Sequence, residues 1–387
     1  MPLPKDHPQA GRLVRHPGRW VFDQASALVN HSNWRVTVFT LVKGAEADYK
    51  KSFGALDVVY LKAQSRLRTW TLFKADIRAL CRRAHQVGAD LVHAHGTEDA
   101  YARAAQRTGL PYVVTVQGLY AECNKKEKTS WLSPARVIEF LERRFFRSVN
   151  RAIVKSDHIS ELLKRHYPQV ETIIIPNTIS RAFTQQRDGP KVQNRIAYVG
   201  SVIPRKGFHL LRQALEKIDP SDPFEVHIYG IGGETEYSNS EVAAIERKGH
   251  FVVNHGNVDE YELARELSIS NYVVAPSFSE TFGNQVIEGM MCLCHCIVTE
   301  DTGMAENVRK YGCGTVVPQL GAAEISRALE TQRARGLGAD VLGERMEARM
   351  KVLDALGEKR VSAELEKIYN LTLKHDQQSV LAEDTVD

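Results

Sequence analysis

The chain has 387 residues, of which 43% are hydrophobic and 25% charged, and its formal net charge is +4. This length supports two domains with sizeable cores, and the composition is that of a folded protein rather than a disordered or fibrous one. No apolar stretch is long enough to span a bilayer, no signal peptide is predicted, and six cysteines do not indicate a disulfide scaffold in a chain of this size.

The start of the chain predicts a helix over 21–30 and a strand over 35–42. In an alternating α/β fold, a strand and a glycine-rich turn would precede that helix. Residues 1–16 contain no apolar run longer than Leu13-Val14, and Gly18 is the candidate remnant of the turn. The first strand is therefore predicted to be degenerate, or the chain begins late.

Two further strands are predicted at 90–95 and 111–117, each ending in polar residues. His93 and His95 alternate along the first of them, and we expect a structural role for both. Gln117 ends the second. An amide can hydrogen-bond a hydroxyl or a carbonyl, but it cannot act as a proton carrier.

A strand over 196–200 ends at Gly200, and a loop with Arg205, Lys206 and Gly207 leads into a helix near Phe208. Guanidinium and ammonium groups at such a loop suit a diphosphate, although adjacent cations are most often only solvated. A third strand and loop, ending at Gly230, allows another close backbone approach. It lacks the complete G-x-G-x-x-G pattern, so its indication of nucleotide binding is weak.

The most informative stretch is 276–290, where an apolar strand over 271–275 passes into a helix. Glu280 falls in the loop and Glu288 two turns into the helix. The amides of Phe282, Gly283 and Asn284 would form the helix start, which suits hydroxyls or a phosphate. The alternative is a solvated glutamate and an acid favoured by the helix dipole.

Together these segments resemble the C-terminal half of the retaining family-four glycosyltransferases, the glycosyl transferases of group 1, which have the GT-B fold. The matching pieces are Tyr198-Val-Gly200, Arg205-Lys206-Gly207, Ile228-Tyr-Gly230-x-Gly232, Ser277-x-x-Glu280-x-Phe282-Gly283, Glu288-Gly-Met290, Thr302-Gly303-x-x-Glu306 and Gly312-x-Gly314-Thr-Val-Val-Pro318. Their order and spacing continue unbroken for over a hundred residues. The N-terminal half agrees more loosely. The family often has a histidine near the transferred sugar where this chain has Gln117, so the resemblance implies that Gln117 positions a substrate and does not transfer a proton.

The resemblance implies an α/β fold of two Rossmann-like, doubly wound domains facing across a cleft. It also implies that Arg205 and Lys206 neutralise the diphosphate and Glu288 binds the ribose. Glu280, with the neighbouring amides, would bind the transferred sugar. The predicted division is an N-terminal acceptor-side domain over 1–183, a linker over 184–194, a nucleotide-sugar domain over 195–356, a helix over 357–375 that crosses back, and a polar tail over 376–387.

Cys292, Cys294 and Cys296 form the one arrangement in the sequence that looks like a metal cluster. A spacing of two on a strand would place the three thiols on one face. Zinc sites usually have longer gaps within each pair, so we predict structural cysteines. The chain contains no Asp-x-Asp motif, and the expected site holds no metal and no cofactor other than the donor substrate.

Charge is divided unevenly along the chain. Residues 1–190 hold 30 Lys and Arg against 17 Asp and Glu, a net of +13, and the remainder holds 21 against 30, a net of −9. The basic residues interleave with aromatic ones over 62–83 and 125–165. Two interpretations remain: solvated helix faces, or a surface for an anionic membrane or a phosphate-bearing acceptor.

With this resemblance, the sequence predicts a cytoplasmic retaining glycosyltransferase that acts without a metal, either free of the membrane or peripheral to its inner face. Its partners would be a nucleotide-diphosphate sugar and a glycan, lipid-linked or phosphate-bearing acceptor, as in polysaccharide or lipopolysaccharide biosynthesis. The alternatives are a nucleotide-sugar epimerase or phosphorylase on the same fold, and a non-catalytic nucleotide-sugar-binding protein. The basic patches carry no recognised nucleic-acid motif, so no nucleic-acid partner is expected.

Overall fold

The computed structural model describes residues 18–63, 67–126, 129–230 and 235–383, with side chains through 376 except that of Lys126. The chain forms two compact units. Unit 1 comprises the residues up to Thr178 together with those from Glu358 onward, and unit 2 is Ile179–Gly357. The chain therefore leaves unit 1 once and returns to it once.

Unit 1 contains a mixed sheet and a parallel sheet. The mixed sheet has the order β1-β3-β2, in which β1 and β3 are parallel and β2 runs antiparallel to β3. The parallel sheet has the order β4-β5-β6-β7. The strands are β1 Val36–Val42, β2 Tyr49–Phe53, β3 Leu56–Lys62, β4 Val92–His95, β5 Tyr112–Thr115, β6 Arg151–Val154 and β7 Glu171–Ile174.

Within the described residues of unit 1, seven helices accompany these sheets, and the last of them follows unit 2 in sequence. They are α1 Arg19–His31, α2 Lys74–Gln86, α3 Tyr101–Arg107, α4 Tyr120–Lys126, α5 Pro134–Phe146, α6 Asp157–His166 and α15 Glu358–Glu383. Local sequence explains several starts: the Ser133 side chain accepts from Ala135 N and Pro134 occupies the first position of α5. Ser156 caps α6 in the same way.

The last helix, α15, completes the core of unit 1. Val361, Leu365, Ile368 and Tyr369 pack in one buried cluster with residues of α1, β5 and β6. The Tyr369 ring meets Trp34 edge-on at 5.2 Å between centroids. Without these side chains, one face of the parallel sheet would lose its apolar cover. A cavity of about 900 Å³ lies nearby, lined from both β1 and β4.

Unit 2 is built on a single six-stranded parallel sheet with the order β10-β9-β8-β11-β12-β13. All six residues of β11 are buried, as expected for a central parallel strand with helices on both faces. The strands are β8 Val192–Val199, β9 Glu225–Tyr229, β10 Phe251–Gly256, β11 Ser270–Ala275, β12 His295–Thr299 and β13 Gly314–Val317.

The helices of unit 2 alternate with its strands. They are α7 Arg181–Thr184, α8 Phe208–Leu215, α9 Glu236–Arg247, α10 Glu260–Ile269, α11 Asn284–Met291, α12 Ala305–Tyr311, α13 Ala322–Arg335 and α14 Ala339–Leu356. Thr235 and Ser238 form a reciprocal capping box at the start of α9. Gly312, at φ 68°, ends α12 in the left-handed conformation.

Several elements and boundaries predicted from the sequence can be compared directly with the structure. The predicted helix at 21–30 is α1, and the predicted strands at 35–42 and 271–275 are β1 and β11. The predicted linker over 184–194 includes the first residues of β8, while the unit boundary lies between Thr178 and Ile179. The first strand was expected within residues 1–16, which lie outside the described residues.

The polar tail predicted over 376–387 is wrong in part, because α15 continues as a helix to Glu383. Residues 379–382 are Ser, Val, Leu and Ala, with no glycine or proline to end the helix. Among the helices that the structure describes, none combines the length and apolarity needed to cross a membrane.

Candidate functional site

The candidate donor site is formed by loops at the carboxyl ends of the strands of unit 2. The chain leaves β8 at Gly200, whose N–H donates to Tyr229 O at the end of β9. A Cβ on Gly230 would lie 2.3 Å from Gly200 O, so these two strand ends approach as closely as only glycine permits. Gly232 of the predicted motif lies outside the described residues.

Arg205 and Lys206 lie in a single 3-10 turn, Pro204–Lys206, that ends at Gly207. Gly207 has φ 72°, and a Cβ there would meet Pro276 O at 1.8 Å. The turn is therefore held directly against the residue that follows β11. Tyr198 OH also donates to Lys206 O at 3.2 Å, and burial raises the pKa of that phenol, which keeps it a donor.

The structure brings the predicted cations and the predicted sugar-binding acid together. Lys206 Nζ forms an ion pair with Glu280 Oε2, and both side chains are about four-fifths buried. Arg205 Nη1 donates to Ser279 O at 3.3 Å, and Phe278 N donates to Arg205 O at 3.0 Å. The two loops, 74 residues apart in sequence, thus form one connected surface.

Glu280 is fixed by a second loop as well. Its N–H donates to Asp301 O at 3.2 Å, and its carbonyl accepts from Gly303 N at 2.8 Å. Thr302, which pairs with Glu280 as an isolated parallel bridge, is buried. The sequence did not single out Asp301 and Thr302 as supports, although the Thr302-Gly303 motif marked the segment.

The helix start predicted at Phe282–Asn284 is present. Gly283 precedes α11 with φ 99°, and as a glycine it has no side chain of its own to cap the helix. Phe282 is buried, while Asn284 and Glu288 are half-buried. A helix start beside two cations favours an anion. The contacts do not test the ligand roles of Glu280, Glu288, Phe282, Gly283, Asn284, Gly200 and Gly230, which stay predictions.

The cysteine cluster differs from the expected arrangement. Cys292 ends α11, Leu293 has φ 59°, and β12 begins only at His295, so the three thiols do not lie on one strand. Cys294 Sγ contacts Leu267 O and Ser270 O at 3.2 Å, and Cys296 Sγ contacts Val286 O at 3.5 Å. Burial raises the pKa of each thiol, so the thiols do not readily form the thiolates that bind metals.

Another group of metal-ligating side chains lies in unit 2. Ligand atoms of His227, His255 and Glu266 come within 4.8 Å of one another. His227 Nδ1 and His255 Nε2 share a hydrogen bond at 2.9 Å, and Glu266 Oε2 accepts from Arg195 at 2.5 Å and from Tyr229 OH at 3.1 Å. The Arg195 cation already balances the carboxylate, so we assign this group to a structural network.

Three residues of unit 1 that the sequence analysis named lie in or near its parallel sheet. His93 joins Tyr369 OH at 2.6 Å and Thr115 Oγ1 at 2.7 Å, which confirms its expected structural role. Gln117 follows β5, and its Nε2 is buried without a hydrogen-bond partner in the described structure. Gly18 lies at the start of α1 and lines the cavity of unit 1. The roles predicted for Gln117 and Gly18 remain predictions.

Two glutamates of α5 have pKa values that are shifted in opposite directions. Glu142 accepts from Thr97 Oγ1 at 2.8 Å and from Tyr120 N at 3.0 Å, and burial raises its pKa to about 8. Burial also acts on Glu139, but hydrogen bonds from Asn124, Arg136 and Arg143 outweigh it and lower the pKa. Glu142 therefore holds the residues that follow β4 and β5 in place mainly as a neutral acid.

A pH-dependent stability should follow from Glu142. Because its pKa is higher in the fold than the ordinary value of 4.5, the fold binds its proton more tightly than the unfolded chain does. This contribution is complete below about pH 4.5 and is lost as the pH rises toward 8. Glu142→Gln has no proton to lose, and its Oε1 can accept from Tyr120 N while its Nε2 donates to Thr97 Oγ1. We therefore expect its melting temperature to match wild type at pH 5 and to exceed it at pH 8.5.

Glu139→Gln is the matched control, three residues away on the same helix. The lowered pKa of Glu139 contributes stability above its ordinary pKa, so this variant should melt earlier than wild type at pH 7. Equal melting of Glu142→Gln and wild type across the whole pH range would contradict the assignment of Glu142 as a neutral acid.

The chain matches two sequence families that divide it between them. Residues 17–183 match the model of Glycosyltransferase Family 4, and residues 180–332 match that of Glycosyl transferases group 1. A D-inositol 3-phosphate glycosyltransferase from Streptomyces bingchenggensis is 26% identical over 268 residues, 62% of this chain and 58% of that protein. The chain spans just under three-fifths of the length of the curated relatives it matches.

Solved structures show the same fold at low sequence identity. A sucrose-phosphate synthase from Thermosynechococcus elongatus has a TM-score of 0.75 at 19% identity, covering 92% of this chain and 93% of its own. Anabaena HepE, solved with UDP and glucose, has a TM-score of 0.62 at 16% identity, covering 81% and 86%. The chain belongs to the family-four glycosyltransferases, those of group 1, and has their GT-B fold of two Rossmann-like domains.

Proposed function

We propose that the protein transfers a hexose-type sugar from a nucleotide-diphosphate sugar to an acceptor, with retention of anomeric configuration. The observation that carries the proposal is the joining of the Arg205–Lys206 turn to the Glu280 loop, beside the start of α11. This arrangement offers two cations and helix amides to a diphosphate and a carboxylate to a sugar. A fold neighbour bound to UDP and glucose supports the same class of donor.

In the proposed reaction, the bond between the anomeric carbon and the diphosphate breaks, and the acceptor oxygen bonds to that carbon from the same face. The diphosphate leaves with the electron pair, and the acceptor proton passes to a leaving oxygen. Arg205 and Lys206 stabilise the charge that develops on the diphosphate, which is the largest contribution expected from the protein. Glu288 holds the ribose, Glu280 the sugar, and Gln117 positions a hydroxyl.

No metal is required in this proposal, because cations and helix amides act where a metal would otherwise bind the diphosphate. A panel of UDP-, GDP- and ADP-sugars tested by thermal shift should identify the donor. Turnover with that donor should then persist in excess EDTA, and NMR of the product should show a retained anomeric centre. Loss of turnover in EDTA with recovery on adding Mg²⁺ would overturn metal independence.

The same assays separate the alternatives. Interconversion of the donor sugar without any acceptor would identify an epimerase, and phosphate-dependent cleavage of a glycoside would identify a phosphorylase. Donor binding without turnover on phosphate-bearing, lipid-linked and glycan acceptors would identify a binding protein. Each of these outcomes would replace the proposed transfer.

We further propose that unit 1 docks on an anionic membrane surface through α5. Phe140, Arg143, Arg144 and Arg147 are all exposed at helical spacings of three and four, so they share one face. Trp131 and Leu132, immediately before the helix, are 79% and 64% exposed. An exposed aromatic residue among arginines is typical of helices that lie in the headgroup region.

Binding to anionic vesicles should therefore fall steeply between low and physiological salt, since each surface cation contributes about 1 kcal/mol. The double variant Arg144→Glu, Arg147→Glu should bind several-fold more weakly in a vesicle sedimentation assay while its donor affinity stays unchanged. The double variant Lys217→Glu, Lys248→Glu, at two exposed lysines of unit 2, makes the same change in net charge and is the control for net charge alone. If the wild-type protein does not bind anionic vesicles even at low salt, this face of α5 is only solvated and the membrane proposal is wrong.

A further inference from the structure

Three adjacent parallel strands of unit 1 end in polar side chains on one face. In the strand register, His95 of β4 lies beside Thr115 of β5, and Thr115 lies beside Ile153 of β6. Side chains two residues apart point to the same face of a strand, so Gln117 and Lys155 follow on the face that carries His95. This is the carboxyl edge of the sheet, where parallel α/β folds bind their ligands.

Lys155 is a buried cation with few partners. Its side chain is 2% exposed, and Nζ donates to Asn177 Oδ1 and lies 5.2 Å from the centre of the Trp20 ring. An ammonium has three N–H donors, and Asn177 accepts only one of them. Burial lowers the pKa of Lys155 well below its ordinary value, which is the physical sign of a cation short of compensating oxygens.

Two neighbouring nitrogen atoms also lack partners. Gln117 Nε2 and His95 Nδ1 are buried, and neither has a hydrogen-bond partner within the described structure. Burial lowers the pKa of His95 well below its usual value, so the ring adds no charge of its own, and its Nδ1 can carry the proton that donates to an anion. Buried polar groups left without a partner are unfavourable, and a ligand that hydrogen-bonds to them would remove this cost.

The start of α1 adds to the positive potential at the same place. Trp20 lies in the first turn of this 13-residue helix and covers Lys155, and that turn contains no acidic residue. Helix N-termini carry a partial positive charge and bind anions. The buried Lys155 and the unpartnered nitrogen atoms of His95 and Gln117 are observations independent of the helix.

One carboxylate opposes this charge. Glu98 attracts Lys155, and a Cβ on Gly96 would lie 2.5 Å from Glu98 Oε2, so the carboxylate folds back beside the end of β4. Burial raises the pKa of Glu98, so this carboxyl group holds its proton more tightly than a free glutamate does. Where it is ionised, it weakens the attraction of the site for an anion.

We propose that Lys155, His95 and Gln117 bind an anionic oxygen group, a phosphate or a carboxylate, carried by the acceptor substrate. The assignment of that ligand as the acceptor rests on the proposed transfer reaction, whereas the anion binding does not. The site lies entirely within unit 1 and is separate from Arg205 and Lys206, which serve the donor diphosphate in unit 2.

The test is calorimetric titration of the full-length protein with glucose 6-phosphate, glucuronate, inorganic phosphate and glucose, followed in parallel by tryptophan fluorescence. At least one anionic sugar should bind ten times more tightly than glucose and should change the emission of Trp20. Stronger binding of glucose 6-phosphate identifies a phosphate site, and stronger binding of glucuronate identifies a carboxylate site. Equal or weaker binding of both anions relative to glucose would overturn the proposal.

Two substitutions should change the anion affinity in opposite directions. Lys155→Met should weaken anion binding at least tenfold, whereas Glu98→Gln should strengthen it by removing the opposing carboxylate. Lys164→Met, at an exposed lysine of α6, should change nothing. Trp20→Phe should abolish the fluorescence change without removing the calorimetric binding. Similar anion affinities in Lys155→Met and wild type, both folded, would contradict the site.

Two further readouts separate this site from a structural role and from the donor site. Anion binding should draw a proton onto Lys155, so the calorimetric enthalpy near neutral pH should depend on the ionisation enthalpy of the buffer. Donor nucleotide affinity should be unchanged in Lys155→Met. Loss of UDP binding instead would assign the lysine to the donor and overturn the proposal, whereas normal donor binding with no anion binding would leave the proposed transfer intact.

Discussion

Replacing Arg205 and Lys206 together by alanine is expected to lower the affinity for the donor nucleotide sugar roughly a hundredfold or more. Each cation supplies a charge-assisted contact to the diphosphate, and losing a charged hydrogen bond typically costs about 1.5–3 kcal/mol. The main-chain contacts of the turn, including Phe278 N to Arg205 O at 3.0 Å, persist in alanine. The unit should therefore remain folded, and isothermal titration with the best donor measures the effect.

The ion pair between Lys206 and Glu280 gives this experiment an internal control of opposite sign. Glu280→Gln releases Lys206, so the donor's nucleoside diphosphate without a sugar should bind at least as tightly as in wild type. The same variant should lose part of the preference for the nucleotide sugar over the nucleoside diphosphate, because Glu280 is the proposed sugar contact. Lys217→Ala, at an exposed residue after α8, should behave as wild type. Unchanged donor affinity in the double alanine variant would contradict the assignment of Arg205 and Lys206 to the donor diphosphate.

Gly207→Ala should strongly destabilise unit 2. The residue has φ 72°, which costs an L-residue about 1–2 kcal/mol, and the new Cβ would overlap Pro276 O at 1.8 Å. The turn carrying both cations must then move away from the Glu280 loop. We expect a loss of at least about 2 kcal/mol, a melting temperature lowered by roughly 4 °C or more, and weakened donor binding.

Gly343→Ala is the matched comparison. Gly343 lies inside α14, and a Cβ there would meet nothing within 4 Å. Alanine should raise stability by about 0.5–1 kcal/mol, because glycine is unfavourable in a helix interior. Thermal unfolding of both variants, with donor titration, measures the two predictions together. A Gly207→Ala protein as stable as wild type would show that the turn and Pro276 separate at little cost.

The sequence predicted the elements around the donor site well because local signals agree there. An apolar run followed by Pro276 and later by Gly283 marks the end of β11 and the start of α11, and the structure places both where expected. The family and the GT-B fold were also predicted, and the comparisons confirm both. These features depend on residues close together in the chain.

Long-range and side-chain features could not be predicted in the same way. The pairing of Lys206 with Glu280 joins residues 74 positions apart, and no local pattern encodes it. Lys155 follows the apolar residues 152–154, and only the tertiary structure shows that it is buried under Trp20. The alternating thiols suggested one strand face, which was wrong because α11 extends to Met291 and the strand starts late.

The place of α15 has a consequence for synthesis on the ribosome. Unit 1 is interrupted in the chain by the whole of unit 2, so its buried cluster lacks Val361, Leu365, Ile368 and Tyr369 until the last part of the chain is made. Unit 2, a continuous segment, has all of its residues by Gly357. Domains generally fold as units when their residues become available. Unit 2 should therefore reach its native state before α15 is available to complete the core of unit 1. The unit whose synthesis begins second should thus finish folding first.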